Sequence, residues 1–184
     1  RNTFMYMKSK AILLFALVIV VASVGFICIP TETESVSAPA EEVKWLTYDQ
    51  AVALSKKNPK PFFVDVYTDW CGWCKQMDKN TFSNHKVAAY LNKRFYSIKL
   101  NAEKPDTVHY KGVAMTNGAL AARIFHATSY PTTVYLEGDE TLLQPIPGYQ
   151  APNDLYRIIH YIGENHYKTT NWEDFSRDFT EKAE

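Results

Sequence analysis

Cys71-Gly72-Trp73-Cys74 is where this sequence concentrates its chemistry. The four residues follow a run of strand formers and open a helical pattern. Both cysteines are therefore expected on the first turn of a helix, where two intervening residues bring the sulfurs within bonding reach. The N–H groups and positive potential of a helix N-terminus favour a thiolate there. A free cysteine of pKa about 8.5 is only ~3% ionised at pH 7, whereas a pKa of about 7 leaves about half of it nucleophilic. That shift corresponds to about 2 kcal/mol, the upper end of what a helix terminus supplies. Asp69 opposes the shift and Lys75 assists it.

The same spacing occurs in half a zinc site, in haem attachment and in purely structural pairs. Zinc would want two further ligands, yet His85, His109, His126, His160 and His166 show no paired ligand spacing. Haem attachment needs a histidine directly after the second cysteine, and Lys75 stands there. A structural disulfide closing so short a loop constrains the unfolded chain little. Redox chemistry is the favoured reading, with no metal expected; the metal and structural readings stay as alternatives.

Asp65 adds an independent signal. A carboxylate midway along an apolar strand is costly to desolvate and is expected to have a raised pKa. Behind the cysteines it is suited to exchanging a proton with Cys74. The competing reading puts Asp65 on the solvated rim of the sheet.

The elements that must position these groups alternate. Thr47 and Gln50 form a capping-box signature opening a helix to about Asn58, stopped by Pro59 and Pro61. Phe62 to Tyr67 is an almost continuous run of strand formers, as in a central strand buried on both faces. Helices are expected from about Cys71 and after Asn84, the latter with Val87, Leu91 and Phe95 on one stripe. Tyr96 to Leu100 reads as a strand, and residues 108–115 as a small hairpin around Lys111-Gly112. Ala119 to His126 reads as helix. Pro131 to Leu136 and Thr141 to Ile146 form an antiparallel hairpin through Gly138-Asp139. Pro152 opens a helix whose Leu155, Ile158, Ile159 and Ile162 share a face. A last amphipathic segment is expected to be capped at Thr170 with Glu173, and its Trp172, Phe175 and Phe179 to cover the core. This alternation implies an α/β sandwich with helices on both sheet faces.

The 184 residues are 46% hydrophobic, with 20 basic against 20 acidic side chains, which suits one core and argues against a nucleic-acid partner. Three cysteines are too few for a disulfide scaffold of this length. Ala11 to Ile29 is a 19-residue uncharged run, preceded by Arg1, Lys8 and Lys10 and followed by Glu32 and Glu34. That asymmetry places the N-terminus in the cytoplasm and the remainder across the membrane. The run exceeds the about 7–15 residues of a signal h-region and nearly reaches the ~20 of a span. Residues 1–29 are thus expected to be a signal peptide or an N-terminal membrane anchor, making the protein extracytoplasmic, secreted or tethered. Residues 30–42 read as a linker, 43–166 as the folded domain and 167–184 as an amphipathic C-terminal extension.

Val64-Asp65-Val66-Tyr67-Thr68-Asp69-Trp70-Cys71-Gly72-Trp73-Cys74-Lys75 resembles the active-site segment of the thioredoxin superfamily. Lys99-Leu100-Asn101 is similar to the family's next strand end, where a lysine approaches the buried acid, and Tyr130-Pro131-Thr132 to its cis-proline signature. Thr81-Phe82 after the active-site helix resembles exported bacterial thioredoxin-like proteins related to the C-terminal domain of DsbD. The resemblance implies a thioredoxin-like three-layer α/β/α sandwich with a central mixed sheet, preceded by the N-terminal hydrophobic segment.

It also implies roles. Cys71, the exposed member, attacks a substrate disulfide, and the more buried Cys74 resolves the mixed disulfide. Trp70 packs beside the site, and Lys99 attends Asp65. Gly72, Trp73, Tyr130 and a cis Pro131 face an extended substrate segment. No cofactor is implied beyond the redox-active Cys71–Cys74 disulfide. The implied partners are disulfide-containing protein substrates and a membrane electron donor, since an oxidising compartment does not supply electrons. Trp73 stands where thioredoxin has proline, which bears on reduction potential. The alternatives are a disulfide oxidase or isomerase, and a non-catalytic peptide- or metal-binding module of the same fold.

Overall fold

A computed structural model describes residues 41–180. The uncharged run from Ala11 to Ile29 and most of the linker lie outside the described residues.

Strand β1 (Trp45–Leu46) leads into helix α1 (Tyr48–Ser55), whose capping box is complete: Gln50 N–H donates to Thr47 Oγ1 and Thr47 N–H to Gln50 Oε1. The helix ends at Ser55, and only a hydrogen-bonded turn continues to Asn58. Strand β2 (Phe62–Tyr67) is followed by α2 (Gly72–Met77), which runs directly into a π turn over Asp78–Phe82. Helix α3 (His85–Arg94) is capped by Asn84 Oδ1. Strand β3 (Tyr96–Asn101) precedes a hairpin of β4 (Thr107–Tyr110) and β5 (Val113–Thr116). A short α4 (Asn117–Ala119) continues as a π turn over Leu120–Ile124. The helix expected to reach His126 stops earlier, because His126 takes a left-handed φ of 55°. Strands β6 (Thr132–Leu136) and β7 (Leu142–Pro147) form the second hairpin, and α5 (Pro152–Gly163) closes the domain core.

The main sheet has the order β1-β3-β2-β6-β7, with β1, β3 and β2 parallel and β6 and β7 antiparallel. It is therefore mixed, with β2 at the centre. Pro145 and Pro147 sit on the β7 edge, where a missing N–H costs no ladder bond. Alternation along β2 divides the interior. Phe62, Val64 and Val66 enter a core with Tyr48 and Ala51 of α1 and Leu120 and Phe125. Phe63 enters the opposite core with Met77, Val87, Leu91, Leu155 and Ile159 from α2, α3 and α5. Three layers result, and Asp65 falls on the face covered by α2.

Residues 102–128 do two things. Their β4–β5 hairpin is fastened to α1, where His109 N–H and Nδ1 each lie 2.9 Å from the Asp49 carboxylate. It is also fastened to the β6–β7 turn, where Glu140 accepts from Tyr48 Oη and from Lys111 N–H, both at 2.9 Å. The root of the segment, Glu103, reaches the cysteine end of the sheet.

Helix α6 (Trp172–Asp178) is capped one residue later than expected, by Asn171, whose Oδ1 accepts from Asp174 N–H at 2.8 Å. Thr170 is occupied otherwise: its N–H donates to His166 O and its carbonyl accepts from Tyr161 Oη. Trp172 and Phe175 pack on Tyr161 at ring distances of 5.3 and 5.0 Å, and Phe179 on His160 at 5.4 Å, covering the outer face of α5.

Candidate active site

Strand β2 ends at Tyr67, and the turn over Thr68–Trp70 delivers Cys71 to the N-cap of α2. Cys71 and Cys74 are joined as a disulfide, with Cα atoms 5.3 Å apart. The Cys74 N–H points at Cys71 Sγ at 3.1 Å, so Cys71 occupies the position of a helix-capping oxygen. A thiolate formed there would accept the same N–H and sit at the positive end of the helix.

Both cysteines are buried, Cys71 to 4% exposure and Cys74 to 2%. Cys71 is thus not the exposed member in the disulfide form. What stands out into solvent is the pair of tryptophans around it, Trp70 at 68% and Trp73 at 64%. Trp70 meets Tyr130 edge to face at 6.1 Å and donates its indole N–H to Glu103 Oε1 at 2.9 Å. Trp73 leans over Tyr149 at 5.5 Å. Gly72 lies between the tryptophans with open space where a side chain would begin. The Tyr130–Pro131 peptide is cis. The Pro131 carbonyl accepts from Gly148 N–H at 2.8 Å, holding the start of β6 to the end of β7.

Asp65 is buried to 1% exposure in the layer beneath α2, not on a solvated rim. It is in register with Lys99 on β3, whose Nζ lies 2.7 Å from Asp65 Oδ2. Asp65 Oδ1 has no hydrogen-bond partner among the described residues. Burial pushes the Asp65 carboxyl above its usual range, although the Lys99 ammonium pulls the other way. For Lys99, burial acts to lower the pKa, and the two carboxylates beside it outweigh burial and raise it. The second of these is Asp78, paired with Lys99 from the exposed side. The rings of Trp45, Tyr67 and Phe82 surround the ammonium at 4.8, 5.1 and 5.0 Å.

The structure therefore brings Cys71, Gly72, Trp73, Cys74, Trp70, Tyr130 and Pro131 to one end of the sheet, with Asp65 and Lys99 beneath. Sequence reasoning did not find Asp78, Glu103 or Tyr149. Asp78 had a signal, lying one helical turn beyond Cys74; the other two come from distant loops and had none. Among the described residues no group of three or more His, Cys, Asp or Glu is arranged to hold a metal ion, and no helix is long and apolar enough to cross a membrane.

A mixed sheet between helical layers, with a dithiol at the helix following its central strand, defines a thioredoxin-fold protein whose redox-capable group is its own cysteine pair. The chain belongs to the Thioredox_DsbH family, described as a protein of unknown function, DUF255, whose model matches residues 35–183. That match runs through α6. The solved structure of a DsbH oxidoreductase superposes with a TM-score of 0.55 at 19% identity, covering 70% of this chain and 92% of the other. An uncharacterized Caenorhabditis elegans protein, B0495.5, is 33% identical over 115 residues, 61% of this chain and 15% of that protein. The thiol:disulfide interchange protein DsbD of Vibrio vulnificus (strain CMCP6) is 46% identical over 55 residues, 30% of this chain and 9% of its own length. The chain thus spans only a small part of these curated relatives.

Proposed function

We propose that this protein is an exported thiol–disulfide oxidoreductase that reduces protein disulfides through a mixed-disulfide intermediate. The observation that carries this reading is Cys71 at the N-cap of α2, with the Cys74 N–H directed at its sulfur. In the reduced protein the Cys71 thiolate attacks one sulfur of a substrate disulfide. The Cys71–substrate S–S bond forms as the substrate S–S bond breaks, and the departing thiolate takes a proton from solvent. Cys74 then gives its proton to the ionised Asp65 carboxylate and attacks Cys71 Sγ. The second substrate thiolate leaves and is protonated. Two electrons have passed from the dithiol to the substrate, and the protein ends as the Cys71–Cys74 disulfide.

Lys99 stabilises the Asp65 carboxylate before it takes that proton, and Asp78 keeps the ammonium paired once Asp65 is neutral. Pro131 and the Tyr130 backbone pair with an extended substrate segment, and Trp70, Gly72 and Trp73 form the surface it crosses. Continued turnover needs a dithiol donor in the membrane, because the compartment is oxidising. Residues 1–29 act as export signal or anchor and 30–42 as linker, so that 43–166 work outside the cytoplasm.

In an insulin-reduction assay, Cys71→Ser is expected to abolish activity. Cys74→Ser is expected to accumulate mixed disulfides that can be isolated from cells and released by reductant. Undiminished insulin reduction by Cys71→Ser would overturn the reading.

A further inference from the structure

Beside the dithiol runs a groove of about 570 Å³ lined by Gly72, Trp73, Gln76, Asn80 and Tyr149. These five residues carry no formal charge. The Trp73 indole and the Tyr149 ring, packed at 5.5 Å and tilted by 47°, form one continuous aromatic wall. The far end is a pair of amides, Asn80 Nδ2 donating to Gln76 Oε1 at 3.2 Å. Above Gly72 nothing lies within 4 Å of a side chain's first atom. The groove is continuous with the Cys-Gly-Trp-Cys segment through Gly72 and Trp73.

Tyr149 is held in place from both sides. Before it, Gly148 takes a φ of 92°, open to glycine, and donates its N–H to Pro131 O at 2.8 Å. After it, Gln150 is buried, with Nε2 donating to Thr133 Oγ1 at 3.0 Å and to Ile146 O at 3.3 Å. Buried Thr81, on the π turn that continues α2, donates to Gln150 O at 2.7 Å. The loop that presents Tyr149 is thereby tied both to the residue after Tyr130 and to the element that carries Cys74. A loop pinned in this way loses little backbone freedom when its tyrosine covers an incoming group.

We propose that Trp73 and Tyr149 form a side-chain subsite selecting substrates with a large uncharged residue, aromatic or aliphatic, beside the disulfide cysteine. This rests on the oxidoreductase reading. Aromatic walls favour apolar and ring-bearing side chains, and a groove with neutral lining offers an acidic one no partner for its charge. Thr81 and Gln150 are positioning residues for Tyr149.

The test uses pre-reduced protein in single turnover with synthetic peptides whose one cysteine is disulfide-bonded to glutathione and flanked by Phe, Leu, Gly, Lys or Asp. Released glutathione gives the rate. The wild-type protein and Tyr149→Phe are expected to favour the Phe peptide over the Asp peptide by about tenfold, the scale of a filled apolar pocket. Tyr149→Ala is expected to bring that ratio to within about twofold. As a second variant that leaves the loop intact, Asn80→Asp is expected to raise the Lys-to-Asp peptide ratio about threefold, as for an exposed charge pair. Equal rates for all peptides, an unchanged ratio in Tyr149→Ala, or no effect of Asn80→Asp would overturn the subsite and leave the oxidoreductase reading standing. Failure of the wild-type protein to release glutathione from any peptide would sink both.

Discussion

At the residue scale, a carboxylate without access to water and an ammonium with little share one pocket behind the dithiol. Asp65 is shifted upward by its burial, so the native protein holds a proton there that the unfolded chain has already lost. The stability this contributes is present below the ordinary carboxylate pKa and is lost as pH rises through the raised value. Urea unfolding of wild type and Asp65→Asn across pH 4–9 is therefore expected to give a stability difference, wild type minus variant, that falls with pH over that window. A pH-independent difference would place the Asp65 pKa at its unfolded value. The same ionisation governs proton transfer from Cys74, so the resolving step is expected to accelerate with pH through the Asp65 range in the wild type and, in Asp65→Asn, to keep only the dependence set by the ionisation of Cys74 itself. Asp65 was legible in the sequence because a single acid interrupts an apolar strand. Asp78 had only its spacing from Cys74 as a signal, because the folded register alone shows that the Lys99 ammonium reaches past Asp65 to the π turn above it.

At the element scale, strands and helices follow closely from patterning. The β2 run, the Thr47 and Asn84 caps and the apolar face of α5 each combine a strong local signal with a matching tertiary environment. Discrepancies fall where backbone geometry departs from regular periods. The π turns after Met77 and Ala119 insert extra residues per turn, which no apolar spacing announces, and both lie next to the site or to the hairpin root. The α6 start moved by one residue because Asn171 and Thr170 are both plausible caps by type, and Thr170 was already engaged by Tyr161. The π turn after α2 owes its attachment to Thr81, whose hydroxyl has one buried acceptor. Thr81→Val keeps the shape and leaves the Gln150 carbonyl without that donor, a loss expected to cost about 1–2 kcal/mol in urea unfolding. No measurable loss would mean that the Gln150 side chain and the Gly148 N–H to Pro131 O bond hold the β7–α5 loop without Thr81.

At the scale of the whole molecule, the sheet separates two cores and the chemistry lies at one end, where β2 and β3 terminate and β6 begins. The β4–β5 hairpin is anchored at the opposite end through Glu140, so its bulk braces α1, while Glu103 ahead of it accepts from the Trp70 indole N–H. Helix α6 belongs to the same folded unit, for its aromatic residues cover Tyr161 and His160 of α5. Ending the chain after Lys168 is expected to lower stability by about 1–3 kcal/mol, given the partial burial of three aromatic side chains against the ordering of one short helix. An undiminished unfolding midpoint would show that α6 contributes nothing to the fold. The family model also matches through α6, to residue 183.

The account depends on the acidity of one sulfur. Absorbance of the reduced protein near 240 nm, followed from pH 4 to 10 with Cys74→Ser as the single-thiol reference, measures it directly. The expected midpoint for Cys71 lies well below that of an unassisted thiol, because the helix N-terminus and the Cys74 N–H favour its thiolate. A midpoint at or above about 8.5, the value of an unassisted thiol, would contradict it.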